Sequence, residues 1–150
     1  MFPSLNKWID PTRPDCQKEQ GQRDFILMRL GDAYLLRAEA RLQQNDAAGA
    51  AEDINVIRTR AAWPGQEAAL QINAGYVDID FLLDERAREL AGEGYRWWDL
   101  ARTGKLVERV KEFNPQGAPN IEDYHTVRPI PQDQIDRTLG GYPQNPGYPQ

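Results

Sequence analysis

A chain of 150 residues is the size of one domain and, once folded, buries roughly 70% of the surface that its unfolded form exposes. Its 40% hydrophobic and 27% charged residues are near globular averages and exclude a wholly disordered chain, although proline (11) and glycine (12) are frequent. A net charge of -5 without a basic tract argues against nucleic acid as a partner, and a lone Cys16 with a lone His125 supplies neither an internal disulfide nor a histidine cluster for a metal, so no cofactor is expected.

Residues 1–28 read as an extended arm, because Pro3, Pro11, Pro14 and Gly21 punctuate polar sequence that has no period of two or four. The first residues lack the apolar centre of a signal peptide, and no run of about 18 apolar residues occurs that would span a bilayer. An exported form is therefore expected to carry its targeting segment outside these residues. Phe25 to Met28 is a short apolar run that suits a strand or the lead into a helix.

From Leu30 to Gln44 the pattern turns helical, with Leu35, Ala38 and Leu42 on one stripe and Tyr34 beside them. Asn45-Asp46 breaks it, and Asp46 is placed to cap a second helix whose apolar positions are Ala47, Ala50, Ile54, Ile57 and Ala61. So short a link predicts an antiparallel hairpin at about 30–61, with Ala38, Ala40, Ala47, Ala50 and Ala51 along the contact. It resembles one tetratricopeptide-type repeat, with no second copy at the ~34-residue period. Trp63-Pro64-Gly65 ends the hairpin, and a loop holding Tyr76 follows.

A third helix is predicted from Asp78 to Ala91 with Ile79, Leu82, Leu83, Ala87 and Leu90 inward, stopped by Gly92 and Gly94. Shorter helices follow at about 95–102 and 105–113, the latter with Leu106, Val110 and Phe113 on one face. Beyond Asn114 the chain is irregular, apart from one helical turn at Gln132 to Arg137, and the Pro/Gly-rich tail is unsuited to helix or inner strand. The fold class is all-α with extended ends.

Glu85 and Glu89 lie one helical turn apart, the spacing of a carboxylate pair for acid/base work, but the intervening Arg86 and Arg88 favour ion pairing. Arg96 and Asp99, three apart, read as a packed pair that orients its helix. Trp97 and Trp98 sit in a helical, apolar context and read as anchors. At least one is expected to be buried against the hairpin, since neighbours on a helix point about 100° apart. Trp8, Trp63 and Tyr76 fall in loops and are the candidates for a sugar platform, where a ring takes the apolar face of a pyranose and polar neighbours take its hydroxyls.

His125, beside Asp123 and Tyr124, has no nearby serine or cysteine nucleophile and reads as a loop histidine, and no phosphate-binding glycine loop occurs. A glycoside hydrolase needs two carboxylates across a cleft, roughly 5–9.5 Å apart. No catalytic set of any kind is expected.

Five segments taken together resemble the SusD/RagB family in the order that family uses them. They are Arg29 to Ala40 with Glu39, Ala51 to Ala61 with Asn55 and Arg58, and the block ERARELAGEGYRWWDLAR from Glu85 to Arg102. Pro129-Ile130-Pro131 with its polar turn and Gln144-Asn145-Pro146-Gly147-Tyr148 complete the set. Two departures stand out: members run to several hundred residues with a lipobox cysteine, which Cys16 does not match, and Gln134 replaces the acidic residue before Ile135. The resemblance implies that residues 29–150 are the C-terminal helical part of a longer outer-membrane lipoprotein, anchored through a lipid outside this chain. Such a protein captures oligosaccharide or another nutrient at the cell surface and passes it to a SusC-type TonB-dependent transporter, without cleaving it. Arg29, Glu39, Asn55, Arg58, Glu85, Arg86, Glu89, Arg96, Trp97, Trp98 and Asp99 are then scaffold. The competing reading is a helical-repeat module that binds a protein segment, which requires further repeats.

Overall fold

The computed structural model describes Leu5, residues 7–15, Gln17, Gly21 and residues 23–149. Cys16 and the arm residues 1–4, 6, 18–20 and 22 lie outside the described residues. All regular structure among the described residues is helical, and the chain divides into two compact units, Met1–Tyr95 and Arg96–Gln150.

The first unit is built on α1 (Leu30–Gln43), α2 (Ala47–Ala61) and α3 (Ile79–Glu89). Asn45 takes the left-handed conformation (φ 63°) that closes the α1–α2 link, and the Asp46 carboxylate accepts from Gly49 N at 2.8 Å to cap α2. Arg37 reaches Asp53 while Arg41 Nη1 donates to Gly49 O at 2.7 Å, cross-links that run in opposite directions along the two helices and make the hairpin antiparallel. Leu35 and Ala38 of α1 pack with Ala50, Ala51, Ile54 and Ile57 of α2, and Val77, Leu82 and Leu90 close this core from the third helix and its flanks. Ala40, expected along the contact, is exposed because it lies roughly 200° around α1 from Ala38, and Ala61, expected on the apolar stripe, is exposed as the last residue of α2.

The predicted loop after α2 contains two 3-10 turns, Glu67–Leu70 and Ala74–Tyr76. Asn55 holds it down by imitating a backbone partner: its Nδ2 donates to Ile72 O and its Oδ1 accepts from Ile72 N, both at 2.9 Å. Phe25 to Met28 is neither strand nor helix; it leads into α1 with 51–77% of each residue exposed.

The second unit carries α4 (Arg96–Arg102), α5 (Leu106–Phe113), a 3-10 turn at Asp123–Thr126 and α6 (Gln132–Arg137). Leu100, Leu106 and Ile121 are buried. Phe113, placed by the sequence on one face with Leu106 and Val110, is exposed at the helix end, and Arg109 is buried with its guanidinium 5.1 Å over the Phe113 ring. The proline-flanked segment Pro129-Ile130-Pro131 has only one N–H to offer. Gln144 takes it at 2.7 Å and returns a donor to Ile130 O at 2.8 Å, while Asn145 Nδ2 donates to Arg128 O and the Tyr148 hydroxyl to Val127 O, each at 2.7 Å. The tail is thereby ordered without helix or strand.

Candidate functional site

The charged residues singled out in the sequence form a lattice of ion pairs around α3. Arg86 is buried with Asp32 of α1 at 2.8 Å. Glu85 sits between Arg58 and Arg88, and Glu89 between Arg29 and Arg60. Glu93 is shared by Arg29 and Lys7. Burial pushes the Glu85 carboxyl up, but hydrogen bonds from Arg58 and Arg88 outweigh it and hold the group below the usual carboxylate range. A carboxylate so neutralised is a poor proton donor, and the shallow 260 Å³ hollow it borders with Ile57, Ala61 and Leu70 is a product of the lattice. Glu39 is half-buried on α1. Asp99 of α4 is buried and pairs with Arg102 at 2.8 Å.

The loop aromatics take three separate positions. Trp63 is 82% exposed at the end of α2 and Tyr76 is 64% exposed in the second 3-10 turn, and neither lines the hollows described here. Trp8 is engaged within the arm's own packing: its ring stacks on Phe25 with centroids 4.5 Å apart, and its Nε1 donates to Gly92 O at 2.8 Å. It also borders a 450 Å³ open hollow with Leu5, Ile9, Asp10 and Arg13.

Neither indole of the Trp97-Trp98 pair is fully buried, contrary to the expectation of a core anchor. Trp98 is 61% exposed and Trp97 is half-buried. The reason is that α4 spans only two turns and turns Asp99 and Leu100 inward, while the Arg128 guanidinium covers the indoles, 5.0 Å from the Trp97 ring centroid and 5.8 Å from that of Trp98. Cation–π contact takes the place of an apolar core there.

Trp97 instead lines a 420 Å³ cleft that lies wholly within the second unit. Leu100 of α4, Leu106 and Val110 of α5, and Ile121 give it an apolar floor; Arg96, Asn114, Asn120 and His125 stand on its rim. The rim groups have defined states. Asn114 Oδ1 accepts from Gly117 N at 2.9 Å, which turns its Nδ2 into the available donor. His125 Nδ1 accepts from Glu122 N at 2.8 Å, which places the proton of the neutral ring on Nε2. Among the described residues, neither that Nε2 nor the Asn120 side chain has a protein hydrogen-bond partner. An apolar floor bordered by polar groups with spare hydrogen-bonding capacity at Asn114, Asn120 and His125 is the composition of a small-molecule site. Sequence reasoning missed it because its residues come from α4, α5 and two turns, and only Arg96, Trp97 and Leu100 lay in a recognisable motif. It also treated His125 as an isolated loop residue.

The SusD family profile matches residues 2–148. The chain is 39% identical over 102 residues to a SusD-like protein of Formosa agariphila, covering 61% of this chain and 19% of that protein. A second SusD-like protein of the same organism is 35% identical over 129 residues, covering 78% and 24%. The starch-binding protein SusD of Bacteroides thetaiotaomicron is 35% identical over 153 residues, covering 97% and 26%. The chain thus spans about a quarter or less of the length of these relatives. No solved structure matches it.

Proposed function

Since the chain belongs to the SusD family, we propose that it is the C-terminal part of a protein that captures a glycan or another nutrient at the outer-membrane surface and hands it to a SusC-type TonB-dependent transporter. The observation that carries this reading is the family match across residues 2–148, supported by 35% identity to a relative described as starch-binding. The action is binding and handover without bond cleavage, a reading supported by the arginine-neutralised state of Glu85. Attachment to the membrane is through a lipid on a segment outside these residues, in keeping with helices none of which, among the described residues, is long and apolar enough to cross a bilayer.

Of the sequence candidates, Trp63 and Tyr76 retain the exposure that a stacking platform needs, whereas the Trp8 ring is already stacked on Phe25. The helical-repeat adaptor is the weaker reading, because the described residues hold one hairpin followed by unlike helices.

Calorimetric titration of the full-length protein with starch and a panel of plant and host polysaccharides tests capture, and an assay for new reducing ends tests the absence of cleavage. Saturable binding with no reducing ends is the expected result. A full-length protein that binds no member of the panel, or that releases reducing ends, defeats the proposal. Handover requires the transporter to co-purify with it.

A further inference from the structure

We infer that the cleft between α4 and α5 is a subsite for one neutral pyranose unit, with the Trp97 indole as its stacking wall and Asn114 Nδ2, Asn120 and His125 Nε2 as partners for sugar hydroxyls. The inference rests on the glycan-capture reading and deepens it by locating a contact in the C-terminal unit, apart from the loop aromatics.

Three observations converge. The volume, 420 Å³, lies at the small end of the roughly 300–1,000 Å³ range of ligand pockets, which suits a terminal or single ring rather than a long chain. The lining pairs an indole and four aliphatic side chains with polar groups confined to the rim, matching a pyranose, which has apolar C–H faces and a polar edge. The rim donors are preset by protein bonds elsewhere: Gly117 N fixes the Asn114 amide and Glu122 N fixes the imidazole tautomer, so their free N–H groups need no reorganisation to meet a hydroxyl. Among the described residues no carboxylate lines the cleft, which favours a neutral ligand over a cationic one.

The floor is also held in shape. A Cβ at position 117 would meet Asn114 Nδ2 at 3.0 Å and Val110 Cγ1 at 3.2 Å, so glycine at this turn lets the 117–121 segment approach α5 closely. The Arg128 guanidinium occupies one face of the Trp97 ring, 5.0 Å from its centroid, so a pyranose stacks on the opposite face.

The test is a titration of the 150-residue chain with glucose, galactose, mannose, xylose and maltohexaose in turn, followed by proton–nitrogen correlation spectra that resolve indole and side-chain amide N–H groups. The expected result is saturable movement of the Trp97 indole and the Asn114 and Asn120 amides with at least one probe. Asn120→Ala should then weaken that binding by about threefold to tenfold, the value of one hydrogen bond, while leaving the thermal midpoint in place, because its side chain has no protein hydrogen-bond partner among the described residues. Trp97→Phe should weaken it as well. Saturable movement confined to Trp63, Tyr76 or Trp8 overturns the subsite and leaves glycan capture standing. Spectra unmoved by every probe, or Asn120→Ala binding like the unsubstituted chain, also overturn it, whereas capture itself is judged on the full-length protein.

Discussion

Arg86 and Asp32 are each 2% exposed, so each depends on the other for its charge to be tolerated inside the fold. Arg86→Ala strands the Asp32 carboxylate and should cost about 3–5 kcal/mol, read as a large drop in the thermal or denaturant midpoint. Arg60→Ala removes a mostly exposed partner of Glu89 and should cost about 0–1 kcal/mol. Equal losses from the two variants would refute the distinction between buried and surface members of the lattice. Acid sensitivity belongs to the same residues. At Glu85, and likewise at Glu93, burial raises the carboxyl, and hydrogen bonds from Arg58 and Arg88 or from Arg29 and Lys7 more than reverse it, so both stand below their ordinary value of 4.5. A carboxyl depressed by folding adds stability that is fully present above its unfolded pKa and is lost as pH falls through the folded one. Denaturant midpoints should therefore be level near neutrality and fall below about pH 4.5, and a midpoint that rose on acidification would contradict the sign.

Two side-chain amides do for irregular segments what a hydrogen-bonded ladder does for strands. Asn55 on α2 pins the Ile72 peptide of the α2–α3 connection, and Gln144 in the tail pins the Ile130 peptide between two prolines. Asn55→Ala leaves both groups of Ile72 without that partner and should destabilise by about 1–3 kcal/mol. Hydrogen exchange at the Ile72 amide should quicken, while exchange in the middle of α2 tracks only the global change. Gln144→Ala should free the tail, and limited proteolysis should then cut between residues 138 and 148 in the variant before it does so in the unsubstituted chain. A tail that stays resistant would mean that the contacts of Tyr148 with Val127 and Tyr124 suffice to hold it.

For the molecule as a whole, the exposed apolar run ahead of α1 is the determining feature. Phe25, Ile26, Leu27, Met28 and Leu30 are consecutive or nearly so, and all are more than half exposed, a run long enough to act as an association site. The 150-residue chain should self-associate with rising concentration in sedimentation velocity, and replacing Leu27 and Leu30 with serine should shift it towards monomer. Monodisperse behaviour of the unsubstituted chain at high concentration would rule this out.

What the chain determines by itself is local. The apolar stripes of α1, α2 and α3, the Asp46 cap and the stops at Asn45 and at Gly92 are written in neighbouring residues, because a helix is closed by bonds four residues apart and its buried face repeats every three or four. Five such segments in family order sufficed to identify the family, which the match over residues 2–148 then showed. The tertiary structure decided which charged residues are buried, since Arg86 and Asp32 lie 54 positions apart and nothing local marks them as partners. It placed Trp97 beside Arg128 and so moved it from core to cleft wall. It also assembled the cleft, whose floor and rim come from α4, α5 and two turns. Periodicity reports the face a residue occupies on its own helix, whereas the partner that meets that face is set by long-range packing, which no local spacing records.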